Sequence, residues 1–174
     1  MKYNKIKSYA KINLALSVIG KNSSLHKIES IIAFIDLHDV IMIKRTNSFN
    51  HSISFNGKFS KNISENNTVS NLLKILDKKN LLYNKKYKIR INKKIPTKAG
   101  LGGGSMNAAS ILRYFVKKKI IKIRKKKIIE ISRLIGSDVI YGLNPTHSIT
   151  TSKNRIKCFK KNKKFYTLIV KPNF

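Results

Sequence analysis

Between Ile6 and Val18 the apolar residues Ile6, Ala10, Ile12, Leu14, Leu16 and Val18 hold every second position, with Ser8 the one break. Lys7, Lys11, Asn13 and Ser17 fill intervening places. A period of two is that of a strand with one face on a core. It puts Lys11 and Asn13 side by side on the face opposite the apolar set. The segments 28–34 and 40–45, rich in β-branched residues, read as two further strands divided by the polar stretch 36–39. Residues 52–55 read as a short arm forming a hairpin with 59–63.

The period then changes. Val69, Leu72, Leu73 and Leu76 recur at helical spacing, which predicts a helix ending near Lys79 and Asn80. Tyr87, Ile89 and Ile91 alternate with Lys88, Arg90 and Asn92, a strand running up to Pro96. A second helix is expected from Ser105, burying Ala108, Ala109, Leu112, Phe115 and Val116, and a third burying Ile128, Ile131, Leu134 and Ile135. The last apolar run, Phe165 to Val170, reads as a strand. Strands first and helices later indicate an α+β fold, a mostly antiparallel sheet with helices on one side.

A length of 174 residues, 41% of them hydrophobic, bounds the chain at one ordinary domain plus a fragment. Cys158 is the only cysteine, so neither an internal disulfide nor a cysteine metal site can form, and a reducing cytoplasm fits. Lys2, Lys5 and Lys7 ahead of an apolar run resemble a signal peptide, but Lys11 and Asn13 interrupt that run, so export is not expected. No apolar stretch approaches the ~20 residues that cross a bilayer, so no membrane partner is expected.

Charge complicates the picture. With 38 Lys and Arg against 7 Asp and Glu, the formal charge of +31 invites a nucleic-acid partner. Yet Lys, Ile and Asn are enriched throughout, as drift toward AT-rich codons would produce. The densest basic runs, 117–119 and 124–127, are interleaved with Ile rather than aromatic residues, so they offer no platform for stacking bases. A solvated basic surface is the expectation, and a nucleic-acid partner is not.

The most informative stretch is Ile95-Pro96-Thr97-Lys98-Ala99-Gly100-Leu101-Gly102-Gly103-Gly104-Ser105-Met106-Asn107-Ala108-Ala109, between a strand and a helix. Its glycines allow tight turns and close approach of a ligand to the backbone. A helix starting at Ser105 would aim unpaired N–H groups and the positive end of its dipole at one spot, which suits a phosphate. A glycine-rich surface turn capped by Ser105 is the plainer alternative. No Gly-Lys-Ser/Thr follows, which excludes a Walker loop, and the flanking elements are not the parallel units of a dinucleotide fold.

Pro96 to Ala109 resembles the phosphate loop of the GHMP kinases, in the branch acting on 4-diphosphocytidyl-2-C-methyl-D-erythritol. Ala10-Lys11-Ile12-Asn13-Leu14 is similar to that family's first strand, and Gly136-Ser137-Asp138-Val139 to its aspartate motif. His26 and Asn66-Asn67 are weaker echoes. Met106, Leu25 and Ile140 depart from the usual serine, tyrosine and proline.

The resemblance implies a GHMP amino-terminal ATP-binding domain over residues 1–145, of a general fold shared with a ribosomal-protein domain. It makes 146–174 the start of a second domain whose remainder is missing. It implies ATP-dependent phosphorylation of the 2-hydroxyl of that substrate, in the non-mevalonate route to isoprenoids. The loop from Pro96 to Met106 would wrap ATP, with Mg2+ on the phosphates and Ser105 a contributor, but no protein metal cage. Asp138 would take the hydroxyl proton and Lys11 would orient it and offset negative charge. Asn13 would hold the substrate and His26 would read the cytosine of its cytidine diphosphate group. A homodimer or a separate second-half polypeptide would complete the enzyme. The competing readings are a basic RNA-binding module and a non-catalytic remnant.

Overall fold

A computed structural model describes residues 2–21, 26–151, 155–159 and 166–170. Its strands are β1 (Asn4–Lys21), β2 (His26–Thr46), β3 (Ser52–Asn56), β4 (Lys86–Asn92), β5 (Ser148–Thr150) and β6 (Ile156–Cys158). Its helices are α1 (Thr68–Lys78), α2 (Gly103–Lys117), α3 (Lys125–Ile135) and α4 (Val139–Gly142). All ten belong to one α+β unit with a single six-stranded mixed sheet.

β2 is the spine of the sheet. One edge pairs antiparallel with β1 along its length, and the other is shared between β4, against Val40 to Thr46, and β5, against Ser30 to Ile32. The polar stretch 36–39 therefore does not divide it, contrary to the sequence reading. The strand runs on through it, although residues 35–37 have no partner in the ladder, which resumes with His38 opposite Tyr9 and Asp39 opposite Ser8. The expected hairpin between 52–55 and 59–63 is also absent. β3 instead runs parallel beside β4, Ile53 opposite Ile89, because the turn after Asn56 folds back onto Lys93, whose N–H donates to the Asn56 carbonyl at 2.7 Å. Residues 166–170 form no strand and are exposed, and Phe165 lies outside the described residues.

A β-bulge decides which side chains face the helices. The register slips between Tyr9 and Lys11, where the single Ala10 of β1 stands against residues 35–37 of β2, and the facing alternation of β1 reverses there. Ile6, before the bulge, lies opposite Ile41 and packs in the helix-side core. After it, Lys11 lies opposite Phe34 and Asn13 opposite Ile32, both of the cluster that packs on Met106 and Tyr141. Ala10 and Ile12 turn to a separate cluster with Ile95 and Leu101. The sequence expectation that Lys11 and Asn13 point away from the core is thus reversed. Beyond Asn13 the period loses its meaning, since residues 14–19 are exposed on both faces.

The main core joins Ile41, Ile43, Ile89 and Ile91 of the sheet to Leu72 and Leu76 of α1, Leu112 and Phe115 of α2 and Ile131 of α3. α1 opens on a capping box, in which Asn67 accepts from the N–H groups of Val69 and Ser70 while Ser70 accepts from that of Asn67. α2 begins at Gly103, two residues before the expected start. Leu134, expected in the core, is 59% exposed, because α3 turns Ile131 and Ile135 inward instead.

Candidate functional site

The chain leaves β4 at Asn92 and enters α2 at Gly103, and the connection between them forms the floor of a cleft of ≈ 460 Å³. Three of its residues, Lys98, Gly100 and Gly102, have positive φ. Left-handed residues set among ordinary ones turn successive N–H groups toward one side and make a concavity for an anion. Gly102 caps α2 without any side-chain bond, so the first N–H groups of that helix remain open. Only a glycine suits this place, because at φ +67° a Cβ would stand 2.9 Å from Lys11 Cγ.

α1 brings a second helix start to the same cleft. Thr68 Oγ1 donates to the Gly104 carbonyl at 2.7 Å. A Cβ on Gly104 would meet that oxygen at 3.1 Å, so close approach of the two helix ends depends on a bare backbone. Asn67, Thr68 and Val69 line the cleft beside the glycine loop.

The register slip between β1 and β2 delivers Lys11 to the cleft, where its own N–H donates to the Leu101 carbonyl at 3.1 Å. Lys11 Nζ lies 3.2 Å from Asp138 Oδ2 and donates to Asn13 Oδ1 at 2.7 Å. Asn13 Nδ2 donates to Ser30 Oγ at 2.7 Å, and Ser30 donates on to the Ala15 carbonyl at 2.8 Å. This chain fixes the Asn13 amide with its oxygen toward the ammonium. Asp138 precedes the one-turn helix α4 but makes no side-chain cap bond, so its carboxylate is given to Lys11 and is 35% exposed toward the cleft.

Pro96 to Ser105 all line the cleft. Met106 does not, its side chain being buried against Ile32 and Tyr141. His26 pairs through its backbone with Lys21 at the far end of the β1–β2 ribbon; its side chain and all of Leu25 lie outside the described residues.

Asp39, Lys93, Asn107 and Thr68 were not singled out by the sequence reading, yet three of them line the cleft and the fourth, Asp39, binds to two of those. The available signal was scarcity, Asp39 being one of 7 acids and lying between apolar Leu37 and Val40. Among the described residues no group of three or more His, Cys, Asp or Glu could hold a metal ion.

Residues 67–147 match the family model described as the GHMP kinases N terminal domain. Over 170 residues the chain is 61% identical to a 4-diphosphocytidyl-2-C-methyl-D-erythritol kinase of Pelagibacter ubique (strain HTCC1062), covering 98% of this chain and 60% of that protein. A kinase of the same name from Clostridium perfringens (strain 13 / Type A) is 34% identical over 172 residues, with 98% and 59% covered. The chain thus spans about three fifths of the length of these curated relatives. A crystal structure of 4-(cytidine 5'-diphospho)-2C-methyl-D-erythritol kinase superposes with a TM-score of 0.71 at 22% identity, over 90% of this chain and 55% of that one, which establishes the shared fold.

Proposed function

Since the chain belongs to the GHMP kinase family, we propose that it forms the nucleotide-binding part of a kinase that phosphorylates the 2-hydroxyl of 4-diphosphocytidyl-2-C-methyl-D-erythritol with ATP, in the cytoplasmic synthesis of isoprenoid precursors. The observation that carries the reading is the Lys11–Asp138 pair at 3.2 Å, in the cleft that the glycine loop lines. Phosphoryl transfer requires mainly positioning and stabilisation of charge, and these residues supply both.

In this reading the loop from Pro96 to Ser105 and the open end of α2 hold the phosphates of ATP. Asp138 accepts the proton of the attacking hydroxyl. Lys11 keeps that carboxylate oriented and offsets the charge shared by the attacking oxygen and the transferring group. Asn13, already fixed beside the ammonium, holds the substrate, and His26 reads the cytosine. Mg2+ would accompany the phosphates of the nucleotide, and the Ser105 hydroxyl is the group that would reach it.

Residues 1–145 make up the ATP-binding domain, and 146–174 supply terminal strands, β5 and β6 of its sheet, and the start of the next domain. The remaining two fifths of the relatives' length, in the same or a separate polypeptide, would complete the alcohol site, and the exposed Leu14, Leu16 and Val18 of β1 are the surface we assign to it. RNA binding has no observation of its own beyond net charge.

Titration of ATP into the chain tests the first half of the proposal. Transfer of labelled phosphate to the diphosphocytidyl alcohol, with the remaining polypeptide supplied, tests the second. No ATP binding, or RNA affinity that falls steeply with salt and exceeds nucleotide affinity, would overturn it.

A further inference from the structure

Asp39 is fully buried in the middle of the sheet, and four donors converge on it. Its Oδ1 accepts from the N–H groups of Lys94 at 2.8 Å and Ile95 at 2.9 Å. Its Oδ2 accepts from Asn107 Nδ2 at 2.9 Å and is ion-paired to Lys93. Lys93 and Asn107 are almost as buried, at 3% and 1% exposure.

The origin of these donors is what matters. Lys93, Lys94 and Ile95 lead into the glycine loop, whereas Asn107 stands in the first turns of α2, after the loop has ended. One carboxylate on β2 therefore ties both ends of the loop to a strand that is itself paired on both edges, Asp39 opposite Ser8 and Val40 opposite Asn92. Between those ends the loop has little to hold it. Among the described residues the bonds to its backbone are those from Lys11 N–H to the Leu101 carbonyl, from Met106 N–H to the Gly102 carbonyl and from Thr68 Oγ1 to the Gly104 carbonyl. Lys93 also sits directly under α2, where a Cβ on Gly103 would meet its Nζ at 3.1 Å.

We propose that Asp39 is a positioning residue for the nucleotide cradle: by clamping Lys93, Lys94 and Ile95 at the entry and Asn107 at the exit, it holds the N–H groups of the glycine loop in their anion-binding arrangement before ligand arrives. This rests on the reading of the cleft as a nucleotide site. A buried carboxylate satisfied by four donors keeps one arrangement, and a loop ordered in advance gives up less freedom on binding.

Asp39→Asn keeps the shape but leaves Lys93 buried without a counter-charge and sets one amide NH2 against another. Amide hydrogen exchange at Lys11 and Met106, whose N–H groups bond to the loop carbonyls of Leu101 and Gly102, is expected to speed up at least tenfold, with amides of α1, β2 and β4 unchanged, and the ATP dissociation constant to rise at least tenfold. In Asp39→Asn/Lys93→Met the buried charge is removed, and the Asn107 amide, whose Oδ1 has no partner, can turn end for end to accept from the new amide. That variant is expected to regain most of the protection at these two amides. Asn107→Leu, which cuts only the exit tie, is expected to shift their exchange in the same direction by a smaller factor.

If Asp39→Asn does not fold, the double variant and Asn107→Leu carry the test. Exchange at Lys11 and Met106 identical to wild type in the folded variants, or protection lost evenly across the domain, would overturn the assignment. A wild-type chain that binds no ATP would instead remove the nucleotide reading, while the exchange measurement, made without nucleotide, still judges Asp39.

Discussion

Lys11 Nζ lies between two acceptors from different parts of the chain, Asn13 Oδ1 at 2.7 Å and Asp138 Oδ2 at 3.2 Å. Its neighbour on the strand fixes where the ammonium sits, and the ammonium then fixes the carboxylate. Under the kinase reading, Asp138→Asn should lower phosphoryl transfer by about two to four orders of magnitude, the range of a positioned general base, and leave ATP affinity nearly unchanged. Lys11→Met should likewise reduce turnover more than nucleotide binding. The double variant should lose less than the product of the single effects, because the two act as a unit. Single-turnover transfer from labelled ATP decides this, and a full rate in Asp138→Asn would remove the catalytic assignment.

Two glycines of the loop separate backbone strain from the position of Lys11. Gly100 and Gly102 both have positive φ, so alanine at either costs about 1 kcal/mol in the backbone alone. A Cβ at Gly100 meets nothing within 4 Å, whereas at Gly102 it meets Lys11 Cγ at 2.9 Å. Gly100→Ala should lose a few degrees of melting temperature and keep most turnover. Gly102→Ala should also lose most of its turnover, because Lys11 must move away from Asp138. Thermal melts and turnover measured side by side check the contrast, which fails if the two variants behave alike.

The packing under α4 gives a third expectation. A Cβ on Gly142 would stand 2.5 Å from Ala109 Cβ and 3.1 Å from Met106 Sδ. Gly142→Ala therefore overpacks the contact between α4 and α2 and should cost about 1–3 kcal/mol in denaturant unfolding. As α4 follows Asp138 directly, the same change should lower turnover. Unchanged stability would show that α4 can shift freely.

On the far side of α1, His51 Nδ1 accepts from the Tyr87 N–H at 3.1 Å and Nε2 faces Asp77 at 3.2 Å, with Lys86 also on Asp77 at 2.6 Å. Burial lowers the His51 pKa, outweighing the pull of Asp77. For Asp77 burial pushes upward, but the bonds from Lys86 and His51 prevail and its pKa is lowered too. Both groups therefore contribute stability that is present above their unfolded pKa values and lost as pH falls through the folded ones. His51 acts first, below its ordinary 6.5, and Asp77 below 3.8. Melting temperature should drop between pH 7.5 and 5, and the drop should shrink in His51→Gln, which keeps an acceptor for Tyr87 and a donor for Asp77. An equal drop in both proteins would rule His51 out.

The amino-acid sequence by itself determined the parts of this protein that depend on neighbours along the chain. The spacing of Val69, Leu72, Leu73 and Leu76 gave α1 with its end near Lys79, and the alternation around Ile89 gave β4, because periodicity is a local property. The glycine loop stood out by its residue types, and Lys11 and Asp138 by their resemblance to motifs of the GHMP kinases. Tertiary structure decided the rest. Extra residues in β2, 35–37 against Ala10, turned Lys11 and Asn13 of β1 toward the helices, and no pattern of apolar residues announces a bulge, since it is set by how two strands fit. β3 took a parallel neighbour through contacts with β4, which lies well beyond it along the chain. Asp39, read in sequence as part of a polar break, became the buried tie of the glycine loop because its four donors come from residues far along the chain, and a charge can be buried only where such partners have been gathered by the fold.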